Sequence, residues 1–317
     1  MIEKREFNNQ TFSKRLSVYL VERFPLNKFG IMVSMFALSG LCFSQMLRGV
    51  QPLPSLLVFL ITAIVTLLVF FQLRVADEFK DYEDDCLYQS YRPVPRGLVS
   101  LKELGTLAFV SALIQGILVA FLDVKLFLPL AAVWVYMGLM TKEFFVRDWL
   151  RVHPIAYLAS HMFIMVFIDL FITACDWLRQ GSAMPVGMYA FLFVSLCNGL
   201  IIEFGRKIRA PEQEENGVQT YSHIWGIRIA SRVWLYVIML ACVFAVYTAS
   251  LVQFSLQTAG ILLVFILFIL KGVYQFRRKP DKALADKIEF LSGLWVILSY
   301  GCLGILPALL KAFSVGR

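Results

Sequence analysis

Residues 53–97 read LPSLLVFLITAIVTLLVFFQLRVADEFKDYEDDCLYQSYRPVPRG. The first half is an uninterrupted apolar run. A helix crosses a bilayer with about 20 such residues, so this half is predicted to span. No glycine or proline terminates the run before the acidic stretch, and the helix is expected to continue into it. With 3.6 residues per turn, Asp77, Asp81 and Asp85 then fall at i, i+4 and i+8 on one face, and Glu78 lies three residues from Asp81. Glu83 and Asp84 add charge nearby. Like charges this close repel and destabilise an isolated helix.

Two readings account for that pattern. One is a solvated acidic loop at a membrane surface. The other is a magnesium–diphosphate site, because a hard divalent cation takes oxygen ligands and bridges to phosphate. The four-residue spacing, the direct continuation of an apolar span and the stiff basic turn Arg92-Pro93-Val94-Pro95-Arg96-Gly97 favour the second.

Working outward, the 317-residue chain is 59% hydrophobic and only 16% charged. Soluble domains carry about 25% charged residues. A water-soluble enzyme, a disordered chain and a coiled coil are excluded, and the class is an all-α polytopic membrane protein. Nine apolar segments are expected to span, at 29–47, 53–75, 104–122, 126–141, 154–174, 184–202, 232–251, 256–276 and 289–311. The fourth is short and contains Pro129, so a re-entrant element is its alternative; the charge pattern argues for a span.

Of the 30 lysines and arginines, 25 fall in the N-terminal segment, the joints after even-numbered spans and the span ends bordering those joints. That bias puts the N-terminus in the cytoplasm and, with nine spans, the C-terminus on the opposite side. The formal net charge of +8 is therefore read as topological, with no nucleic-acid partner. Residues 1–28 are expected to be a cytoplasmic segment without a secretory leader, with a short interfacial amphipathic helix over 11–26 as one option. Residues 29–317 would form a single transmembrane domain, with spans 1–4 and 5–8 as a pseudo-repeat and span 9 added. The six cysteines form no close pairs, and the three histidines are too scattered to lead with a zinc or haem site.

A second polar cluster follows span 6, at 198–221: NGLIIEFGRKIRAPEQEENGVQTY. Glu203 lies three residues from Arg206 and four from Lys207, which reads either as ordinary helix ion pairing or as one metal-facing carboxylate beside phosphate-binding cations. Arginine suits phosphate because its fork donates two parallel charged hydrogen bonds. Arg209, Asn198 and Tyr221 are further candidates, whereas Glu212, Glu214 and Glu215 read as solvated loop charge. In the joint TKEFFVRDWLRVH (141–153), Lys142, Arg147 and Arg151 either extend this basic rim or anchor topology. Asp169, inside span 5, is a costly intramembrane carboxylate that is left outside the site.

Together these motifs resemble the UbiA-type intramembrane prenyltransferase superfamily, which includes 4-hydroxybenzoate, homogentisate and menaquinone-pathway polyprenyltransferases. The resemblance rests on an Asn-Asp-x-x-Asp-x-x-x-Asp signature followed by Arg-Pro-x-Pro-x-Gly, matched by Asp77, Glu78, Asp81, Asp85 and the turn at 92–97, and on Asp-x-x-x-Asp, matched by Glu203 and Lys207. Asp77 and Glu78 depart in residue type, and Lys207 replaces a carboxylate.

The resemblance implies nine helices around a central cavity in a cell (inner) membrane. It also implies magnesium-dependent transfer of a prenyl group from an isoprenoid diphosphate to an aromatic or other electron-rich acceptor, with no obligatory protein partner. Asp77, Glu78, Asp81, Asp85 and Glu203 would bind magnesium. Asp81, Asp85, Glu203 and Lys207 would be catalytic, with Lys207 supplying fixed charge in place of a second metal. Arg92, Arg96, Lys142, Arg147, Asn198, Arg206, Arg209 and Tyr221 would bind the diphosphate. Hydrolysis or cyclisation of the same diphosphate, and a transporter or permease, are the alternative functions.

Overall fold

The computed structural model describes residues 10–315; Lys4, Arg5 and Arg317, used above to orient the chain, lie outside them. The helices are α1 (Phe12–Arg23), α2 (Leu26–Leu47), α3 (Leu56–Lys80), α4 (Tyr82–Tyr88), α5 (Leu101–Leu122), α6 (Phe127–Thr141), α7 (Arg147–Val152), α8 (Pro154–Met162), α9 (Ile164–Trp177), α10 (Met188–Arg206), α11 (Tyr221–Ser250), α12 (Ser255–Arg278), α13 (Lys282–Tyr300) and α14 (Leu306–Val315). Among the described residues, nine helical stretches are long and apolar enough to cross a membrane. Helices suit that environment because every backbone N–H and C=O is bonded within the segment.

The span limits differ from the sequence reading where polar residues join a helix. The fourth span is lengthened by a 3₁₀ turn, Val124–Leu126, capped by Asp123. The fifth is α8 plus α9, joined at Phe163. The seventh begins not at 232 but at Tyr221, where the Thr220 hydroxyl accepts the His223 amide. Gly226, with φ +74°, kinks that first stretch.

Buried polar groups pin the helices to one another. Gln115 donates to Gln72 at 3.1 Å and accepts from Trp134 Nε1 at 3.0 Å, tying α3, α5 and α6. Arg48 donates two hydrogen bonds to Asp176. The Tyr300 hydroxyl donates to Asp169, so the intramembrane carboxylate fastens α9 to α13. The rings of Phe36, Phe191 and Tyr300 fill the space enclosed by α2, α10 and α13. A cavity of about 260 Å³ lies laterally between α3, α5 and α6, lined by Gln72, Ala76, Phe79, Gly105, Trp134 and Gly138.

The ninth span passes through one π turn, Gly301–Ile305, between α13 and α14. There the backbone meets α2: a Cβ on Gly304 would stand 2.1 Å from the Ser39 carbonyl oxygen and 2.5 Å from its Cα. Ser39 Oγ also donates to the Tyr300 carbonyl at 2.6 Å. Neither backbone can yield cheaply, and overpacking costs about 1–3 kcal/mol. Gly304→Ala should therefore lower the thermal unfolding midpoint in detergent by several degrees, whereas an alanine at Gly260, with open space around its Cα, should not.

Candidate functional site

The acidic stretch does not form one continuous helix. It breaks at Asp81 (φ −96°, ψ 6°), which ends α3 and precedes α4. Crowding of like charges at i, i+4 and i+8 explains the break, since interrupting the helix lets the carboxylates diverge. Each then meets cations. Asp77 lies 3.4 Å from Arg74 and 3.8 Å from Lys80, and Asp81 lies 3.8 Å from Lys80. Both oxygens of Asp85 accept from Arg92 Nη1 at 2.7 Å. Desolvation, reinforced by Asp77 and Asp85 and opposed by Lys80 and Lys207, raises the Asp81 carboxyl to about 6.

Glu78 is placed differently. It is 1% exposed, and Arg23 Nε of α1 donates to its Oε1 at 2.7 Å. Its Oε2 is buried without a partner. The neighbouring Glu22 accepts two hydrogen bonds from Arg96, and Arg15 pairs with Glu103 at 2.7 Å. The helix expected at 11–26 is thus clipped by ion pairs to both halves of the first motif.

On α10, Glu203 is held by Arg206 at 2.8 Å and Lys207 at 3.0 Å. Lys207 closes the helix as its C-cap. Its ammonium stands 5.7 Å from the Tyr157 ring centroid and 5.8 Å from that of Tyr221. Lys80 donates to the Tyr157 hydroxyl at 2.8 Å. One tyrosine of α8 therefore contacts a lysine from each cluster. The charge of Lys207 bears on Asp81, and that of Asp77 on Arg206.

The loops above also join: Gln89 Nε2 and the Tyr91 hydroxyl both donate to Glu215, at 2.7 and 3.0 Å. Beside them, Gly217 (φ +77°) lies against the Tyr88 ring, where a Cβ would come within 2.5 Å. Only glycine meets both demands cheaply.

Several expectations need correction. Glu212 and Glu215 are exposed, as expected of loop charge, but they also make contacts: Glu215 clasps the two loops, Glu214 accepts from the Thr220 hydroxyl, and Glu212 accepts the Lys282 amide. Asn198 is bound to Trp295 at 3.2 Å and Ser299 at 3.3 Å, so it joins α10 to α13 instead of facing a phosphate. Arg209 pairs with Glu289 at 3.3 Å, and Arg96 with Glu22. Arg147 reaches Glu143 at 3.3 Å and Asp84 at 3.9 Å. Lys142 is exposed at the end of α6. The site also includes residues the sequence reading missed: Arg23, Arg74, Lys80 and Tyr157. Arg74 and Lys80 were visible as cations one turn from Asp77. Tyr157 lies in an apolar run, and nothing local marks it.

The donors allow a split answer on magnesium. The first cluster offers only hard carboxylate oxygens, and those of Asp77 and Asp81 are partly exposed with loose partners at 3.4–3.8 Å. They fit a magnesium ion, and Asp85 would join on exchanging Arg92. Glu78 and Glu203 do not fit as presented, because Arg23 holds the first and Arg206 and Lys207 neutralise the second. Among the described residues, no three acidic, histidine or cysteine side chains already converge as a metal cage.

Residues 34–294 match the family described as the UbiA prenyltransferase family. No curated protein matches the chain. Among solved structures it is similar to a digeranylgeranylglyceryl phosphate synthase, at 15% identity and TM-score 0.60, over 92% of this chain and 98% of that one. It is also similar to a UbiA homologue from Archaeoglobus fulgidus bound to DMAPP and Mg²⁺, at 12% identity and TM-score 0.53, over 91% of this chain and 99% of that one. The same homologue bound to GPP and Mg²⁺ matches at 11% identity and TM-score 0.53, over 90% and 99% of the two chains.

Proposed function

Because the chain belongs to the UbiA prenyltransferase family, we propose that it transfers a prenyl group from an isoprenoid diphosphate to an electron-rich, lipophilic acceptor and releases diphosphate. The observation that carries this reading is the meeting of the two polar clusters around Tyr157. An excess of fixed cations there awaits an anion: Arg74, Lys80, Arg206 and Lys207 face Asp77, Asp81 and Glu203.

Asp77 and Asp81 would hold a magnesium ion, which would supply compact positive charge to phosphate oxygens. Lys80 and Lys207, both beside Tyr157, hold the diphosphate, and their charge favours its departure from the allylic carbon. Preorganised charge of this sort costs no rearrangement as the bond breaks. Arg206 keeps Glu203 neutralised, so Glu203 orients the basic pair without repelling the phosphate. Arg92 steadies Asp85. The aromatic wall of Tyr157, Tyr221 and Trp225 keeps water from the electron-poor carbon, which the acceptor's electron pair attacks. The bias of basic residues toward the face carrying these clusters supports a cytoplasmic site in a cell membrane.

The test is pyrophosphate release by purified protein given magnesium and a panel of allylic diphosphates, with and without aromatic acceptors. Release only with an acceptor is expected. Release without any acceptor would mean hydrolysis or cyclisation, and failure to bind any allylic diphosphate would overturn the reading.

A further inference from the structure

A second set of cations lies away from this site and is independent of the proposed reaction. Beyond its kink at Gly226, α11 runs on to Ser250, about 36 Å of helix, against about 30 Å of bilayer hydrocarbon. Counting about 20 residues back from its far end at Ser250 reaches Ser231. Counting the same distance along the antiparallel α12 from Ser255 reaches Tyr274. Both counts therefore set Ser231 and Arg277 at the headgroup boundary, and the two touch: Arg277 Nε donates to Ser231 Oγ at 2.8 Å.

Arg228 and Arg232, one turn apart on α11, are exposed beside them. The charges bearing on Arg277 are those of Arg232 and Arg228, with no carboxylate among them. On α13, Asp286 and Glu289 already face Arg209. Nη2 of Arg277 is sealed from solvent without a hydrogen-bond partner. Topological anchoring requires positive charge at this depth. It does not require two further guanidiniums whose charge bears on Arg277, or a donor left unmade, which costs about 1–3 kcal/mol.

We propose that Arg228, Arg232 and Arg277 form a phosphate site for the headgroup of an anionic phospholipid, seated between α11 and α12. A phosphate oxygen pair matches the exposed guanidinium forks of Arg228 and Arg232, and it accepts the orphaned Nη2 donor once the Arg277 side chain turns outward. The depth selects a lipid over a free ion. Below the arginines, Tyr236 and Tyr274 are 71% and 56% exposed at the level where aromatic belts sit, and Leu240 and Leu267 offer an apolar flank for acyl chains. Basic pockets between helices at this level bind anionic headgroups.

The experiment compares thermal unfolding of the detergent-purified full chain with added phosphatidylglycerol, phosphatidylcholine or inorganic phosphate. Phosphatidylglycerol should raise the midpoint and phosphatidylcholine should not. In Arg228→Gln/Arg232→Gln protein, which alters only exposed side chains, the phosphatidylglycerol concentration for half-effect should rise roughly tenfold or more, with the lipid-free midpoint unchanged. Arg277→Gln should have the same effect on half-effect concentration. Equal responses to the two lipids, or an unaltered response in the double variant, would overturn the site. A full response to inorganic phosphate alone would overturn its assignment to a lipid.

Discussion

Asp81→Asn should slow magnesium-dependent pyrophosphate release by about 100-fold or more, while the unfolding midpoint stays close to that of the wild type. The asymmetry follows from the surroundings of the side chain. Asp81 is nearly half exposed, and its one ion-pair partner, Lys80, is 3.8 Å away. Asparagine is almost isosteric and leaves no buried cation stranded, so folding has little to lose. What is lost is an oxygen donor with full negative charge, which magnesium requires. The companion change Asp85→Asn should slow turnover less and carry a stability cost, because both Asp85 oxygens accept from Arg92. Direct binding of manganese, followed by its spectroscopic signal, separates the two effects: Asp81→Asn should weaken it without unfolding. Near-normal turnover in Asp81→Asn would remove this carboxylate from the chemistry.

The spans were legible because a bilayer imposes a length and a composition that survive in the linear chain. Their ends were less so. α11 begins among Tyr221, Ser222 and His223, where no apolar run announces a helix, and Gly226 interrupts the pattern. The two polar clusters were legible because their charges stand out against apolar flanks. Their internal partners were not. Asn198 looked like a cavity residue because it lies on the same helix as Glu203, yet the groups that claim it, Trp295 and Ser299, come from α13. Glu215 is exposed, as a loop rich in glutamate suggests, but its partners Gln89 and Tyr91 lie over 120 residues away and left no local sign. Spacing along one helix predicts neighbours on that helix, and cross-chain pairing has no such period.

Arg23 illustrates this most sharply and leads to the second large effect. By spacing, Glu78 belongs with Asp81 as a metal ligand. In the fold it sits beneath α1, almost wholly buried, with Arg23 at 2.7 Å. Against the opposing pull of desolvation, the Glu78 charge raises the Arg23 guanidinium above its ordinary value. Arg23→Ala would leave a buried carboxylate without its counter-charge, a change that costs about 3–5 kcal/mol. Glu78→Gln, which discharges the carboxylate instead, should cost less. The double variant should be more stable than the sum of the single losses predicts, because the stranded charge is gone; equilibrium unfolding of the four proteins measures that coupling. A magnesium ligand would behave oppositely. Glu78→Gln would then abolish manganese binding at little cost in stability, and Arg23→Ala would tighten binding by freeing an oxygen. The expected pattern is strong coupling in stability with manganese affinity in Glu78→Gln close to wild type, because the ion is left to Asp77 and Asp81 while α1 holds the motif from behind.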